Sequence, residues 1–368
     1  MIYLDHNATT ALDERVLAAM QPFFTLFHGN PSSLYRAGRI ARSAIDGARE
    51  QVAALVDAAP NQIIFTSGGT EANNLALQAA ALGSRLLVSQ IEHPSISEPV
   101  RRLQRRGSTV KWLGVDRQGL FDSAALESVD LRSIAFASLM LANNETGVIQ
   151  DISHWTSRLQ EHNIQVHTDA VQALGKIPLS FKDLGVQLMS LSGHKIYGPK
   201  GSGALVIEKG LDIEPLQLGG GQEFNLRPGT ENVAAIVGFG KAAELALTEF
   251  KTRNDRLLQL RQQLEQALKE LSGVVLFSER AERLPNTVQF GIAGKDGEML
   301  QMQLDQKNIA VSSGSACASG GGEPSPVLTA MGVTEDLAKS AIRVSLGQSN
   351  SPEDIIEFIN VLKTVCPQ

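Results

Sequence analysis

Between residue 60 and residue 210, short apolar runs alternate with helical patterns, and this alternation constrains the chain more than any other feature. "QIIFTSGG" (62–69) reads as a strand ending in small polar residues, and "TEANNLALQAAAL" (70–82) follows as a helix. "RLLVSQIEH" (85–93) is the next strand, and "SISEPVRRLQRRG" (95–107) has helical spacing closed by Gly107 as a C-cap. "SIAFASLMLANNETG" (133–147), "IQVHTDAV" (164–171) and "VQLMSLSGHK" (186–195) are further apolar strands, with "SHWTSRLQEHN" (153–163) helical between the first two. Apolar strands separated by helices predict an α/β fold around a mainly parallel sheet. "GSGALVIEKG" (201–210) reads as one more strand, placed at an antiparallel edge.

The pattern changes after residue 235. Residues 238–271 form one long helical pattern with Leu257, Leu260, Leu264, Leu268 and Leu271 on a single stripe, which is read as core packing that bridges two units. "NTVQFGI" (286–292), "SAIRVSLG" (340–347) and a closing helix "SPEDIIEFINVLKTV" (351–365) then predict a smaller α+β unit. At 368 residues the chain is long enough for one large domain and one smaller one. A net charge of −6 gives no global attraction to nucleic acid or an anionic membrane, and no apolar run reaches the length of a membrane span. The start "MIYLDHNATT" lacks the pattern of a secretory signal. Two cysteines, Cys317 and Cys366, cannot build a disulfide framework, a four-thiolate cluster or a structural zinc site, so no metal centre is expected. Free thiols suit a cytoplasmic protein.

Ligands of open α/β sheets bind beyond the carboxyl ends of the strands, so the residues standing there are the candidates for chemistry. In "FTSGGTEANN", Gly68 and Gly69 let backbone approach a ligand, and Thr70 opens a helix whose free N–H groups suit a phosphate. Taken alone, the junction also reads as a plain tight turn. Asp169 ends the apolar run of "HTDA"; it either caps the next helix or pairs with a protonated heterocyclic nitrogen. Lys195 follows Ser192 and His194 before a Gly/Pro-rich turn, as a solvated loop lysine or as the amine of a Schiff base. Together, a phosphate cradle, an acid and a lysine at strand ends meet the needs of pyridoxal 5′-phosphate. The phosphate anchors, the carboxylate keeps the pyridine nitrogen protonated, and the lysine holds the aldehyde. His93, also at a strand end, could stack on such a ring.

The motifs "YLDHNATT", "NPSSLYRAG", "TSGGTEANN", "EHPS", "NNETG", "HTDAVQALGK", "SGHKIYGPKG", "RPGTENV", "SSGSACASG" and "SAIRVSLG", in this order, resemble the NifS/IscS-like cysteine desulfurases. These are class V aminotransferase-type enzymes of fold type I. The resemblance implies a large domain with a mainly parallel, seven-stranded-type sheet flanked by helices (residues 14–249). A smaller α+β domain, built from residues 1–13 and 250–368, would carry the catalytic cysteine loop. It assigns Lys195 to the Schiff base, Asp169 to the pyridine nitrogen, Gln172 to the ring hydroxyl and His93 to ring stacking and proton transfer. Gly69, Thr70, Ser192 and His194 fall to the phosphate. Thr230 would reach the phosphate of a neighbouring subunit, implying a homodimer, while Arg343 would grip the substrate carboxylate with help from Asn144.

The resemblance further implies that sulfur leaves L-cysteine, L-alanine remains, and Cys317 becomes a persulfide for a sulfur acceptor such as an iron–sulfur scaffold protein. Neither a membrane nor direct nucleic-acid contact is implied. Selenocysteine lyase, cysteine sulfinate lyase and transaminase are the alternatives with the same cofactor; a transaminase has no need of Cys317. The small residues of "SSGSACASGGG" suit a loop that can carry the thiol outward. The basic run "RRLQRR" reads as a solvated helix end matched to its dipole, or as a docking patch for the acceptor.

Overall fold

Strand β1 (Ile2–Tyr3) opens the chain, and seven strands follow before residue 210: β2 (Ile63–Thr66), β3 (Arg85–Ser89), β4 (Thr109–Leu113), β5 (Phe136–Ser138), β6 (Gln165–Asp169), β7 (Leu188–Ser192) and β8 (Gly203–Ile207). The computed structural model describes residues 1–80, 83–314 and 323–366. The expectations placed on Cys317 and its segment fall outside the described residues. Those seven strands form one sheet in the order β2-β8-β7-β6-β5-β3-β4, parallel except for β8. The expected α/β architecture is therefore present, with the carboxyl ends of the parallel strands on one edge.

Two strand expectations are corrected. β8 is antiparallel but lies inside the sheet, between β2 and β7. All five of its residues are buried, which demands hydrogen-bonding partners on both sides. β4 was not anticipated, because "TVKWL" alternates exposed with half-buried or buried positions and presents no continuous apolar run. An edge position beside β3 explains that composition.

The long helical pattern also divides. It becomes a helix Val233–Thr248 and a helix Phe250–Lys269, with Glu249 off the helical path at φ −102° and ψ 9°. Its carboxylate meets Arg15 at 2.5 Å and Arg253 at 2.7 Å. The break has a packing reason, since the two halves serve different cores. Ile236, Phe239 and Leu245 join the apolar cluster of the large sheet, whereas Leu257, Leu260, Leu264 and Leu268 join a second cluster.

That second cluster sits on strands β9 (Val274–Leu276), β10 (Thr287–Ile292), β11 (Ile309–Ala310), β12 (Ser312–Ser313) and β13 (Ile342–Ser345). β12, β13, β10 and β9 form an antiparallel sheet in that order, and β1 pairs in parallel with β11. Phe290 and Phe358 are fully buried here, as Phe136 and Phe239 are in the larger half. Each such side chain contributes about 1.5–3 kcal/mol of apolar transfer. Asn7 ties the halves together. Its backbone N–H donates to Ser345 Oγ (2.9 Å), and its Nδ2 donates to Asn144 O (3.2 Å) and to Thr287 Oγ1 (2.9 Å). No helix among the described residues is long and apolar enough to cross a membrane.

Candidate active site

A cavity of about 240 Å³ opens beyond the carboxyl ends of β2, β6 and β7. Gly69, Thr70, His93, Asp169, Ser192 and Lys195 line it, and Asn144, Gln172 and His194 complete the wall. Two glycines beside it are tightly surrounded. A Cβ on Gly203 would stand 2.6 Å from the backbone of Gly68, and one on Gly69 would stand 2.9 Å from Val171 Cγ2. Backbone therefore reaches the cavity where the helix Gly69–Ala76 begins, with its unpaired N–H groups directed at the start of the helix. Ser192 Oγ is buried without a hydrogen-bond partner.

Asp169 closes the floor, almost fully buried. Its Oδ2 accepts from Asn73 Nδ2 (2.7 Å) and its Oδ1 from the Val171 N–H (2.9 Å), both neutral donors. The bond to the Val171 N–H is a capping one, at the start of the helical turns of residues 170–177, and the same carboxylate also lines the cavity, so the structure leaves room for both expected roles. Asn73 also donates to Ser95 Oγ (2.8 Å), which in turn lies 2.8 Å from His93 Nδ1. Burial lowers the imidazole pKa of His93, the nearby Lys195 adds to this, and the Asp169 charge opposes it.

Lys195 Nζ donates to the backbone carbonyls of Asn7 and of Ala8, the latter at 2.8 Å. The N-terminal segment thus holds the amine at the cavity wall. His194 shares its Nδ1 with Thr9 Oγ1 at 3.1 Å; burial and the ammonium groups of Lys195, Lys200 and Lys176 push it down to about 4. Gln172 donates from Nε2 to Asn7 O (3.0 Å) and accepts from Lys176 Nζ (2.9 Å). Lys176 is buried between that oxygen and Asn7 Oδ1, and desolvation carries its amine well below the usual lysine range.

Two of the expected residues stand back from the cavity. Arg343 on β13 donates from Nη1 to Asn144 O (3.0 Å) and from Nη2 to Asp5 Oδ1 (2.6 Å), while its buried Nε lacks a hydrogen-bond partner. Thr230 is exposed and lines no part of the cavity. Asn73, Ser95, Asn7 and Lys176 were not singled out in the sequence. "TEANN" and "EHPS" contain the first two, but only the fold brings those loops together.

Glu92 was also passed over, and burial strongly perturbs its carboxyl. Its Oε1 accepts from Ser89 Oγ (2.7 Å) and from the Met140 N–H (2.7 Å), whereas Oε2 has no partner. Desolvation, reinforced by the Asp169 charge, raises its pKa from 4.5 to about 8. Between those values the folded state holds a proton that the unfolded chain has lost, so stability falls as pH rises through that window. Glu92→Gln keeps the acceptor oxygen and removes the titration. The variant is expected to exceed the wild type by a few kcal/mol at pH 8, at about 1.4 kcal/mol per unit, and to match it near pH 4. Urea unfolding at the two pH values measures this difference.

Comparison with known proteins places this site in context. The aminotransferase class-V family model matches residues 2–358. A protein of Dictyoglomus turgidum named cysteine desulfurase IscS is 44% identical, over 99% of this chain and 94% of its own length. Among solved structures, a NifS-like protein superposes with a TM-score of 0.93 at 36% identity, covering 99% of this chain and 98% of its own. Another, described as SspA in complex with cysteine, gives a TM-score of 0.84 at 30% identity over 95% of this chain and all of its own. By sequence along nearly its whole length and by fold, the chain belongs to the aminotransferase class-V family.

Proposed function

We infer that the protein is a cysteine desulfurase that takes sulfur from L-cysteine, leaves L-alanine and uses pyridoxal 5′-phosphate. One observation carries the cofactor reading: a buried carboxylate, a lysine amine and an unpaired serine hydroxyl share one cavity at a helix start. Asp169 meets only neutral donors in its hydrogen bonds, so a protonated ring nitrogen supplies the cationic partner that a buried carboxylate calls for. Ser192 Oγ, Thr70, the N–H groups near Gly69 and His194 would hold the phosphate. When bound, the cofactor supplies an electron sink for the substrate's Cα.

The remaining roles belong to the chain's own groups. Lys195 Nζ is the amine that would hold the cofactor aldehyde and move a proton at Cα. His93 forms the wall where the ring would stack. Gln172 Nε2 keeps a second hydrogen for the ring hydroxyl. Arg343 already has one edge on Asp5; a substrate carboxylate would compete for that guanidinium, beside Asn144. Sulfur transfer breaks the substrate C–S bond and forms an S–S bond at Cys317 Sγ, and the carbon fragment takes up a proton to become alanine.

We assign Thr230, exposed on a loop fixed by the Arg42–Glu231 (2.6 Å) and Arg227–Glu71 (3.0 Å) pairs, to the phosphate of a second subunit in a homodimer. The persulfide would pass to a sulfur-acceptor protein such as an iron–sulfur scaffold, in the reducing cytoplasm. The test is mass spectrometry after exposure to L-cysteine. A gain of one sulfur on the peptide containing Cys317, lost in Cys317→Ser together with sulfide release, is the expected result. An unmodified peptide during rapid alanine formation would sink the persulfide route.

A further inference from the structure

We propose that Ser95 and Asn73 are positioning residues that fix the tautomer of His93, leaving Nδ1 bare and the proton on Nε2. The inference rests on the cofactor reading of this cavity for its meaning, but its structural content comes from four side chains. Asp169 Oδ2 lies 2.7 Å from Asn73 Nδ2, and a carboxylate there accepts only a donor. The amide group of Asn73 is thereby oriented, and its second N–H points at Ser95 Oγ at 2.8 Å. With one lone pair of Oγ taken, the hydroxyl hydrogen is free to follow the 2.8 Å vector to His93 Nδ1. The Ser95 backbone N–H reaches the same nitrogen at 3.1 Å.

A ring nitrogen that receives two donors cannot itself bear a proton. Neutral His93 is therefore protonated at Nε2. Because Nδ1 is occupied by Ser95, Nε2 is the nitrogen left for a ligand. His93 meets a substrate as a hydrogen-bond donor in its resting form, and proton removal at Cα is left to Lys195. The chain of contacts also links the two ends of the site. The anionic state of Asp169 orients the amide, the amide orients the hydroxyl, and the hydroxyl sets the imidazole. Both donors stabilise neutral imidazole, so they act in the same direction as burial. Asp169 and Lys195 are the charged groups acting on His93. Glu92, Glu98, Arg101, Glu145 and Glu323 line an adjoining cavity of about 770 Å³ that His93 also borders.

The experiment is ¹⁵N NMR of the holoenzyme labelled at histidine, with His93 assigned by its loss in His93→Gln and cofactor content read from the visible band. The expected spectrum has an unprotonated Nδ1 and a protonated Nε2. Titration of Ser95→Ala should show the His93 pKa raised by about half to one unit, a three- to tenfold change in proton affinity, because one donor to the neutral ring is gone. Ser95→Thr, which keeps the hydroxyl, should restore the wild-type value. A wild-type ring protonated at Nδ1 overturns the proposal, as does a Ser95→Ala pKa equal to wild type. The wild-type spectrum decides even if a variant fails to fold. An absent visible band would instead count against the cofactor reading, which keeps the two failures distinct.

Discussion

Lys195→Ala is expected to lower sulfur release from L-cysteine by at least about three orders of magnitude while leaving the fold intact. General acid–base action by a positioned side chain contributes roughly 10²–10⁴ in rate, and the lost covalent hold on the cofactor adds to it. The fold should tolerate the change, because Nζ, held by the backbone carbonyls of Asn7 and Ala8, lies at a wall that faces the cavity rather than in an apolar core. Borohydride should no longer fix the cofactor to the chain, which mass spectrometry reads independently of turnover. Lys176 is the competing amine, since desolvation depresses its pKa and it follows Asp169 more closely. Its position argues against it. Asn7 Oδ1 and Gln172 Oε1 hold its Nζ away from the cavity that Asp169 lines. A variant at Lys195 that kept a tenth of the wild-type rate would transfer the role elsewhere.

The sequence was most legible where a single strand end carried the chemistry. Asp169, Lys195, His93 and Ser192 each follow an apolar run, so period and composition alone put them near one edge of a sheet. Their meeting at one cavity follows from the parallel order of β2, β7, β6 and β3. Groups that depend on two distant segments were not legible. Asn73 and Ser95 are 22 residues apart and join only because their helices both start at that edge. Asn7 looks like any polar residue near a terminus, yet it accepts from Gln172 and Lys195 and donates to Asn144. β4 and the interior place of β8 were hidden for a related reason. Hydrophobic pattern reports how deeply a strand is buried, and says little about which neighbours bury it.

Glu223→Ala is expected to destabilise the fold by about 3–5 kcal/mol, the cost of leaving a buried arginine unpaired. Arg49 and Glu223 form a two-pronged pair, Nη1 to Oε2 at 2.8 Å and Nη2 to Oε1 at 2.6 Å, with both side chains almost wholly buried. The carboxylate also accepts the Phe65 N–H at 2.8 Å, and the guanidinium lies 4.8 Å from the Phe65 ring and 5.3 Å from that of Phe224. Glu223, Phe224 and Asn225 all have positive φ (45°, 58° and 68°), a conformation that side-chain-bearing residues adopt at a cost. The pair opposes that strain and fixes the loop leading to Arg227 and Thr230 against β2. Removing both partners in Arg49→Leu/Glu223→Leu should recover part of the loss, since no buried charge is then left alone. Urea unfolding of the single and double variants measures the coupling. If the loop serves the second subunit as proposed, Glu223→Ala should also shift the protein toward monomer in sedimentation, at concentrations where the wild type stays dimeric.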